Sequence, residues 1–255
     1  MPGTIEQGRA GFAEALAAEW TKLRTVRSGL WTLAAMAASV LGIAVFVGAT
    51  RSLQPDDTIL GGSLTGATFG LLVAASVGVL VISRDYAAGT IGATLLACPR
   101  RGVVLAAKAT VTATVLFGVA LAACFLAWQI GTVMLPDGYA PGAPMPALLG
   151  VALCFSVTGL LGLAVGTMLR HPAGAITTMV AVLLLPSMLG PLLGGWERWV
   201  AGASPLTALQ KLSQSSDAAP DAVGSLGAWP SLWLVCGYGL VALVGAVVVF
   251  QRRDA

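Results

Sequence analysis

The chain alternates between long apolar runs and short polar segments. Each apolar run lacks Asp, Glu, Lys and Arg and is close to the ~20 residues that cross a bilayer core as a helix, whereas barrel strands are shorter and alternate apolar with polar positions. Six such runs lie at Leu30–Thr50, Leu60–Ser83, Ala109–Ile130, Ala147–Leu169, Ala173–Gly194 and Ser231–Phe250. The pattern predicts an all-α membrane protein whose six transmembrane helices occupy residues 30–255.

The distribution of basic residues predicts the orientation of these spans. An even number of spans places both termini on one side of the membrane. Of the 14 Lys and Arg residues, only Arg51, Arg198 and Lys211 fall on the opposite side. Because the side richer in Lys and Arg normally faces the cytoplasm, both termini are predicted to be cytoplasmic. We therefore expect a multi-pass protein of the cytoplasmic (inner) membrane.

Composition excludes several classes of protein. Apolar residues make up 57% of the 255 positions and charged residues 10%, against about 25% charged in soluble domains. A soluble enzyme, a disordered chain and a nucleic-acid-binding domain are thereby excluded, and no nucleic acid is expected as a partner. The sequence lacks a Gly-Lys pair, so it contains no P-loop for ATP. No His, Cys and carboxylate residues have the spacing of a metal site.

The segment before the first span has the pattern of an amphipathic helix. Over residues 10–28, apolar side chains recur at helical spacing on one face: Phe12, Leu16, Trp20 and Leu23. The charged residues fall largely on the rest of the helix: Glu14, Glu19, Lys22 and Arg24. We predict that residues 1–29 contain a cytoplasmic helix lying flat at the membrane interface.

Two further patterns bear on packing. Glycines recur every four residues at Gly62, Gly66 and Gly70 and again at Gly162 and Gly166, which favours close approach of helices in lipid. In the outer loop 195–228, Ser204-Pro205 has the form of a helix cap followed by proline at the first helical position. Leucines at 206, 209 and 212 then predict a short amphipathic helix at the outer face. The sequence does not determine whether this helix enters the membrane.

The cytoplasmic loop 84–103 carries the most distinctive sequence. Asp85 lies where a short helix could begin, since negative charge is favoured near a helix N-terminus. The apolar residues of 90–97 predict a short helix that Pro99 ends, with Arg100 and Arg101 holding its far end at the interface. Taken alone, the same residues also suit an ordinary basic cytoplasmic loop.

This loop resembles the signature loop of the permeases of type-2 ABC exporters. The resemblance lies in the acid of Asp85, three residues, then Gly89-Thr90, a short apolar stretch, and Pro99-Arg100-Arg101 followed by a later lysine. The segment 19–28, Glu-Trp-Thr-Lys-Leu-Arg-Thr-Val-Arg-Ser, is similar to the N-terminal segment of actinobacterial-style members. Ser204-Pro205 is a weaker match. Asp85 departs from the glutamate that many members carry.

The resemblance implies a permease subunit that is not itself an enzyme. ATP and Mg²⁺ would be bound by a separate ABC ATPase subunit, and the chain would pair with a second permease copy or homologue in the lipid bilayer to export a hydrophobic substrate. In such permeases the loop after the second span couples to the ATPase, which implies that role for Asp85, Gly89, Thr90, Pro99, Arg100 and Arg101. A substrate path along spans two and five would be lined by Thr68, Phe69, Met179 and Met188.

Two other classes of function fit six tightly packed spans. One is a non-transporting scaffold, or an immunity protein that sequesters a toxic peptide. The other is a channel that conducts without ATP. A neighbouring reading frame with a P-loop favours the exporter, while ATP-independent flux would favour the channel.

Overall fold

The fold was analysed on a computed structural model of the full chain. The description covers residues 11–51, 53, 57–87, 89, 101–135, 138–189, 192, 196–215, 224 and 226–252. Within these residues the regular elements are helices, which we number in chain order. They are α1 Phe12–Thr25, α2 Arg27–Thr50, α3 Ile59–Ser63, α4 Ala67–Ala87, α5 Arg101–Met134, α6 Pro144–Leu169, α7 Pro172–Leu189, α8 Glu197–Gly202, α9 Pro205–Ser213 and α10 Ala228–Arg252.

Six of these helices are long and apolar enough to cross a membrane: α2, α4, α5, α6, α7 and α10. They correspond one for one to the six predicted spans. The prediction of an all-α, six-helix, multi-pass membrane protein is therefore confirmed. The preceding helix α1 also forms within the predicted segment, and it ends at Val26, where an extended backbone joins it to α2.

The helix ends separate into two faces. At one face Arg170, between α6 and α7, lies over the ring of Tyr86 near the end of α4. Gly102 at the start of α5 lies close to Gln251 at the end of α10 on the same face. We call this the inner face, because it bears most of the described Lys and Arg residues, which the positive-inside rule predicts to face the cytoplasm. At the opposite, outer face, the N–H of Ile59 donates to the carbonyl of Ala140 at 2.9 Å.

Helix α6 forms the centre of the bundle. It contacts α4, α5, α7, α9 and α10, and 72% of its most apolar stretch is buried. Its contact with α4 is made backbone to backbone: a Cβ added to Gly78 would collide with the carbonyl oxygen of Gly159, and one added to Gly162 with that of Ala75. Small residues permit this approach in lipid, where apolar burial alone does not favour helix association. The glycine pattern predicted close packing without identifying which helices meet, and it did not include Gly78.

Two predicted spans differ in their boundaries. The second is broken, because α3 ends at Ser63 and α4 begins only at Ala67. A Cβ on Gly66 would lie 2.8 Å from the carbonyl oxygens of Ser39 and Val40, so the chain turns directly against the α2 backbone there. The third begins earlier than predicted: α5 has 34 residues, a length of about 51 Å against a hydrocarbon core of about 30 Å. Residues 101–108, predicted as loop and span entry, are its first two turns.

The predicted outer helix, α9, enters the membrane region. The Ser204 side chain accepts the N–H of Leu206 at 3.2 Å, so the predicted cap forms. The carbonyl of Pro205 accepts a bond from Cys154, which lies eight residues, or about 12 Å, below Pro146, where the helical backbone of α6 begins. At the other end of α9, the Gln214 side chain bonds both the N–H and the C=O of Ala143 at the outer face. Helix α9 therefore runs from near mid-membrane to the outer face, which is permitted because protein surrounds it.

Substitution at the α4–α6 contact should be costly. We expect Gly78→Ala to destabilise the protein by about 1–3 kcal/mol or more, because the added methyl group meets the Gly159 carbonyl with no side chain free to move away. Thermal unfolding in detergent, followed by Trp fluorescence, measures the change.

Gly118→Ala is the matched control, since a Cβ there meets nothing within 4 Å and Ala favours helix by up to about 1 kcal/mol. Equal midpoints for the two variants would show that the α4–α6 contact is looser than described.

Candidate functional site: a buried charge cluster at the inner face

Four charged side chains from three helices meet at the inner face. The Nζ of Lys108 on α5 lies 2.6 Å from Oε2 of Glu19 on α1 and 2.7 Å from Oδ2 of Asp85 on α4. The Nζ of Lys22, one turn after Glu19 on α1, lies 2.9 Å from Glu19 Oε1 and 3.8 Å from Asp85 Oδ2. Each carboxylate therefore faces both ammonium groups. We call Glu19, Lys22, Asp85 and Lys108 the charge cluster.

Burial differs sharply across the charge cluster. The side chains of Lys108 and Glu19 are 2% and 7% exposed, and that of Asp85 is 14% exposed. Lys22 is 40% exposed and lies at the edge. A buried ion costs several kcal/mol to desolvate, and close pairing offsets that cost only while every partner is present. The Lys108 ammonium is therefore the centre of the cluster, and it holds α1, α4 and α5 together.

Local structure explains why Asp85 depends on Lys108. Asp85 was predicted near the start of a short helix, but it lies in the last turn of α4, which ends at Ala87. The negative end of the helix macrodipole disfavours a carboxylate there. The ammonium of Lys108 at 2.7 Å supplies the compensating charge. The ion pair thus joins the last turn of α4 to α5 about two turns after α5 begins at Arg101.

The residues beside Asp85 contact other elements of the inner face. The guanidinium of Arg84 packs on α2 so closely that a Cβ added to Gly29 would lie 3.4 Å from Nη1. On the other side of Asp85, the ring of Tyr86 lies 5.3 Å from the guanidinium carbon of Arg170, between α6 and α7. A guanidinium over a ring face at this distance is a cation–π contact. The last turn of α4 therefore touches α1, α2, α5 and the α6–α7 turn.

The charges of the cluster also act on Lys22. Burial by itself lowers the pKa of a lysine, but hydrogen bonding to Glu19 and the charges of Glu19 and Asp85 outweigh it, so the pKa of Lys22 is raised above its usual value. Lys22 therefore stays protonated throughout the physiological range. It pairs the solvent-facing side of both carboxylates with a cation.

The predicted coupling residues are described only in part. Asp85 belongs to the charge cluster, and Gly89 follows α4 in a turn, with φ +64° and its N–H bonded to the carbonyl of Tyr86 at 3.2 Å. Arg101 is the first residue of α5. Thr90, Pro99 and Arg100, and with them the predicted short helix over 90–97, lie outside the described residues.

The four residues predicted to line a substrate path are dispersed. Thr68 lines a cavity of about 290 Å³ near the outer face, between α2, the α3–α4 turn and α9. Phe69, next to it on α4, is 54% exposed on the surface of the chain. Met179 is buried in the core, while Met188 is exposed near the end of α7. A single chain therefore does not bring these four side chains into one cavity.

Sequence reasoning missed Glu19 and Lys108. It assigned Glu19 to the polar side of α1, opposite the apolar face predicted to lie at the membrane interface, whereas Glu19 is buried inside the chain. It counted Lys108 as a basic residue for orientation and as the later lysine of the loop resemblance, but it assigned this lysine no partner. One signal in the sequence could have revealed it. No proline and no pair of glycines lies between Arg101 and Lys108, so the sequence allowed α5 to begin at Arg101. A lysine inside a helix entering the membrane then calls for a buried acid.

Comparison of the chain with protein-family models and with curated proteins gave no match.

Removing the central cation should be far more damaging than removing the peripheral one. We expect Lys108→Ala to destabilise the protein by about 3–5 kcal/mol, because it leaves two carboxylates buried without their closest partner. Unfolding in detergent, monitored by Trp fluorescence, gives the difference.

Lys22→Ala, which removes the same charge from the same carboxylates, is the control. Because Lys22 is half-exposed, it should cost about 0–1 kcal/mol. Similar losses in the two variants would contradict a cluster centred on Lys108.

Proposed function

We propose that this chain is the permease subunit of an ATP-driven exporter of the type-2 ABC class. It would carry no ATPase itself and would pair with a cytoplasmic ABC ATPase and with a second permease copy or homologue. The cargo that its apolar spans favour is hydrophobic. The proposal starts from the resemblance of the 84–103 loop, and the observation that carries it further is the bond between the two helices that flank this loop.

The arrangement at the inner face suits a part that transmits force. Asp85 on α4 and Lys108 on α5 lie 2.7 Å apart, so a push on the intervening loop would move both helices together. Glu19 ties α1 to the same point at 2.6 Å. Arg84 against α2 and Tyr86 under Arg170 carry the displacement to the rest of the bundle.

In the proposed mechanism, ATP closes the partner's two nucleotide sites and displaces the 84–103 loop. The inner ends of α1, α4 and α5 then move as one unit, and the permease pair switches the side from which its path is open. ATP shifts this equilibrium only by the difference in its affinity for the two states. Thr68, at the outer cavity, remains a candidate for contact with the cargo after the switch.

The first test concerns the partner. The tagged chain, purified from its native membrane in mild detergent, should bring down a soluble subunit with a P-loop in stoichiometric amount. The double substitution Arg100→Glu/Arg101→Glu should release that subunit, since it reverses two charges in the proposed contact. Mass spectrometry identifies and quantifies what is recovered.

Arg252→Glu/Arg253→Glu is the control, because it reverses an adjacent arginine pair that begins at the last residue of α10 and is predicted to lie on the same side of the membrane. Recovery of no ATPase, or equal release by both double variants, would sink the exporter proposal.

The second test concerns the turn after α4. Gly89 has φ +64°, which proline cannot adopt and which asparagine tolerates better than other residues. Gly89→Pro should reduce the ATPase rate of the reconstituted complex to that of the isolated ATPase. Gly89→Asn should retain most of the stimulation. An unaltered rate in Gly89→Pro would refute a coupling role for this loop.

A further inference from the structure

A cavity of about 110 Å³ lies beside the charge cluster. Helices α1, α2, α4 and α5 enclose it. One end is polar and is formed by Glu19, Lys22, Arg84, Asp85 and Lys108. The remaining wall is largely apolar and includes Leu23, Leu33, Val77, Val81 and Val111. Val26 and Lys22 line it and are each about 40% exposed, so the cavity opens beside the junction of α1 and α2.

The polar end has one positive charge in excess. It holds two carboxylates and three cations, and Lys22 and Lys108 face both carboxylates. Arg84 makes no ion pair or hydrogen bond within the part of the chain that the structure describes. Its guanidinium is therefore the group at this end whose donors are free for a ligand. A guanidinium binds phosphate or carboxylate oxygens through two parallel N–H bonds, so the matching ligand is an anion.

The apolar wall continues from Arg84 into the membrane. Val81 and Val77 precede Arg84 by three and seven residues on α4, so they lie about 4.5 and 10 Å deeper. Arg84 itself lies in the last turn of α4, at the level expected for the headgroups of the inner leaflet. A free inorganic phosphate would contact only the polar end and would leave the apolar side chains of the wall exposed to water. A ligand that fills the cavity joins one anionic group to an apolar chain.

We propose that this cavity binds one phospholipid of the inner leaflet. Its phosphate would accept hydrogen bonds from Arg84, and an acyl chain would lie against Val77 and Val81. The lipid would thereby contact α1, α2, α4 and α5 beside the charge cluster. This inference uses only the cavity and its charges, so it does not rest on the exporter proposal.

The experiment measures lipid that stays with the purified full-length chain. After extensive washing in lipid-free detergent, phospholipid is extracted and quantified per chain, and dioleoyl phosphatidylglycerol is then titrated back by native mass spectrometry. The wild-type chain should retain about one phospholipid. Arg84→Gln should bind the added lipid about tenfold more weakly, because it loses a charge-assisted pair of hydrogen bonds. Arg84→Lys, which keeps the charge, should recover part of the affinity.

Two variants separate this site from general effects. Val81→Phe fills the wall without altering any charge, and it should lower binding as Arg84→Gln does. Arg252→Gln removes an exposed arginine at the inner face outside the cavity, and it should bind like the wild type. Elution profiles in detergent establish that each variant is folded.

Three results would overturn the proposal. The first is a washed wild-type chain that holds no phospholipid above its detergent background. The second is equal binding by Arg84→Gln and Arg252→Gln. The third is displacement of the lipid by inorganic phosphate alone, which would assign the site to a free anion.

Discussion

The ammonium of Lys108 between the carboxylates of Glu19 and Asp85 is the interaction on which the inner half of the molecule depends. A single cation cannot be buried at the edge of a membrane without acids to pair it, and these two acids come from two other helices. The bond therefore helps to fix the position of α1, whose apolar residues Phe12 and Trp20 are nearly half exposed while Leu23 packs against the core. It also joins the last turn of α4 to α5.

The middle of the bundle is held by a different kind of contact. Gly78 and Gly162 bring the backbones of α4 and α6 together within the lipid region, and α9 fills the space that opens towards the outer face. Such packing has one good arrangement, since any displacement opens voids along the contact. Helix α4 takes part in both the charge cluster and the glycine contact. Its middle is packed rigidly on α6, while its inner end is held by ion pairs.

The sequence predicted the parts of this fold that follow from simple counting. Apolar run length was enough for six helices, and cap chemistry was enough for the start of α9 at Ser204. The burial of Glu19 was not predicted. At about 100° per residue, Glu19 lies about 40° from the mean direction of Phe12, Leu16 and Leu23, and Trp20 about 60° on the other side. Hydrophobicity placed only Trp20 on the apolar face, whereas pairing with a buried lysine on another helix draws Glu19 into the bundle. The sequence of α1 alone cannot predict such a partner. The depth of α9 was equally inaccessible, because it depends on Cys154, Tyr238 and Gly150 in other spans.

The difference between these two contacts has a consequence for any movement of the chain. The charge cluster joins α1, α4 and α5 through side chains, whereas Gly78 and Gly159 join α4 to α6 backbone to backbone. A force applied to the loop after Ala87 would therefore move α1 and the inner parts of α4 and α5 together, while the α4–α6 contact holds the middle of α4 in place. If the chain is driven by a cytoplasmic ATPase, the force arrives at the part of the bundle that moves as one unit.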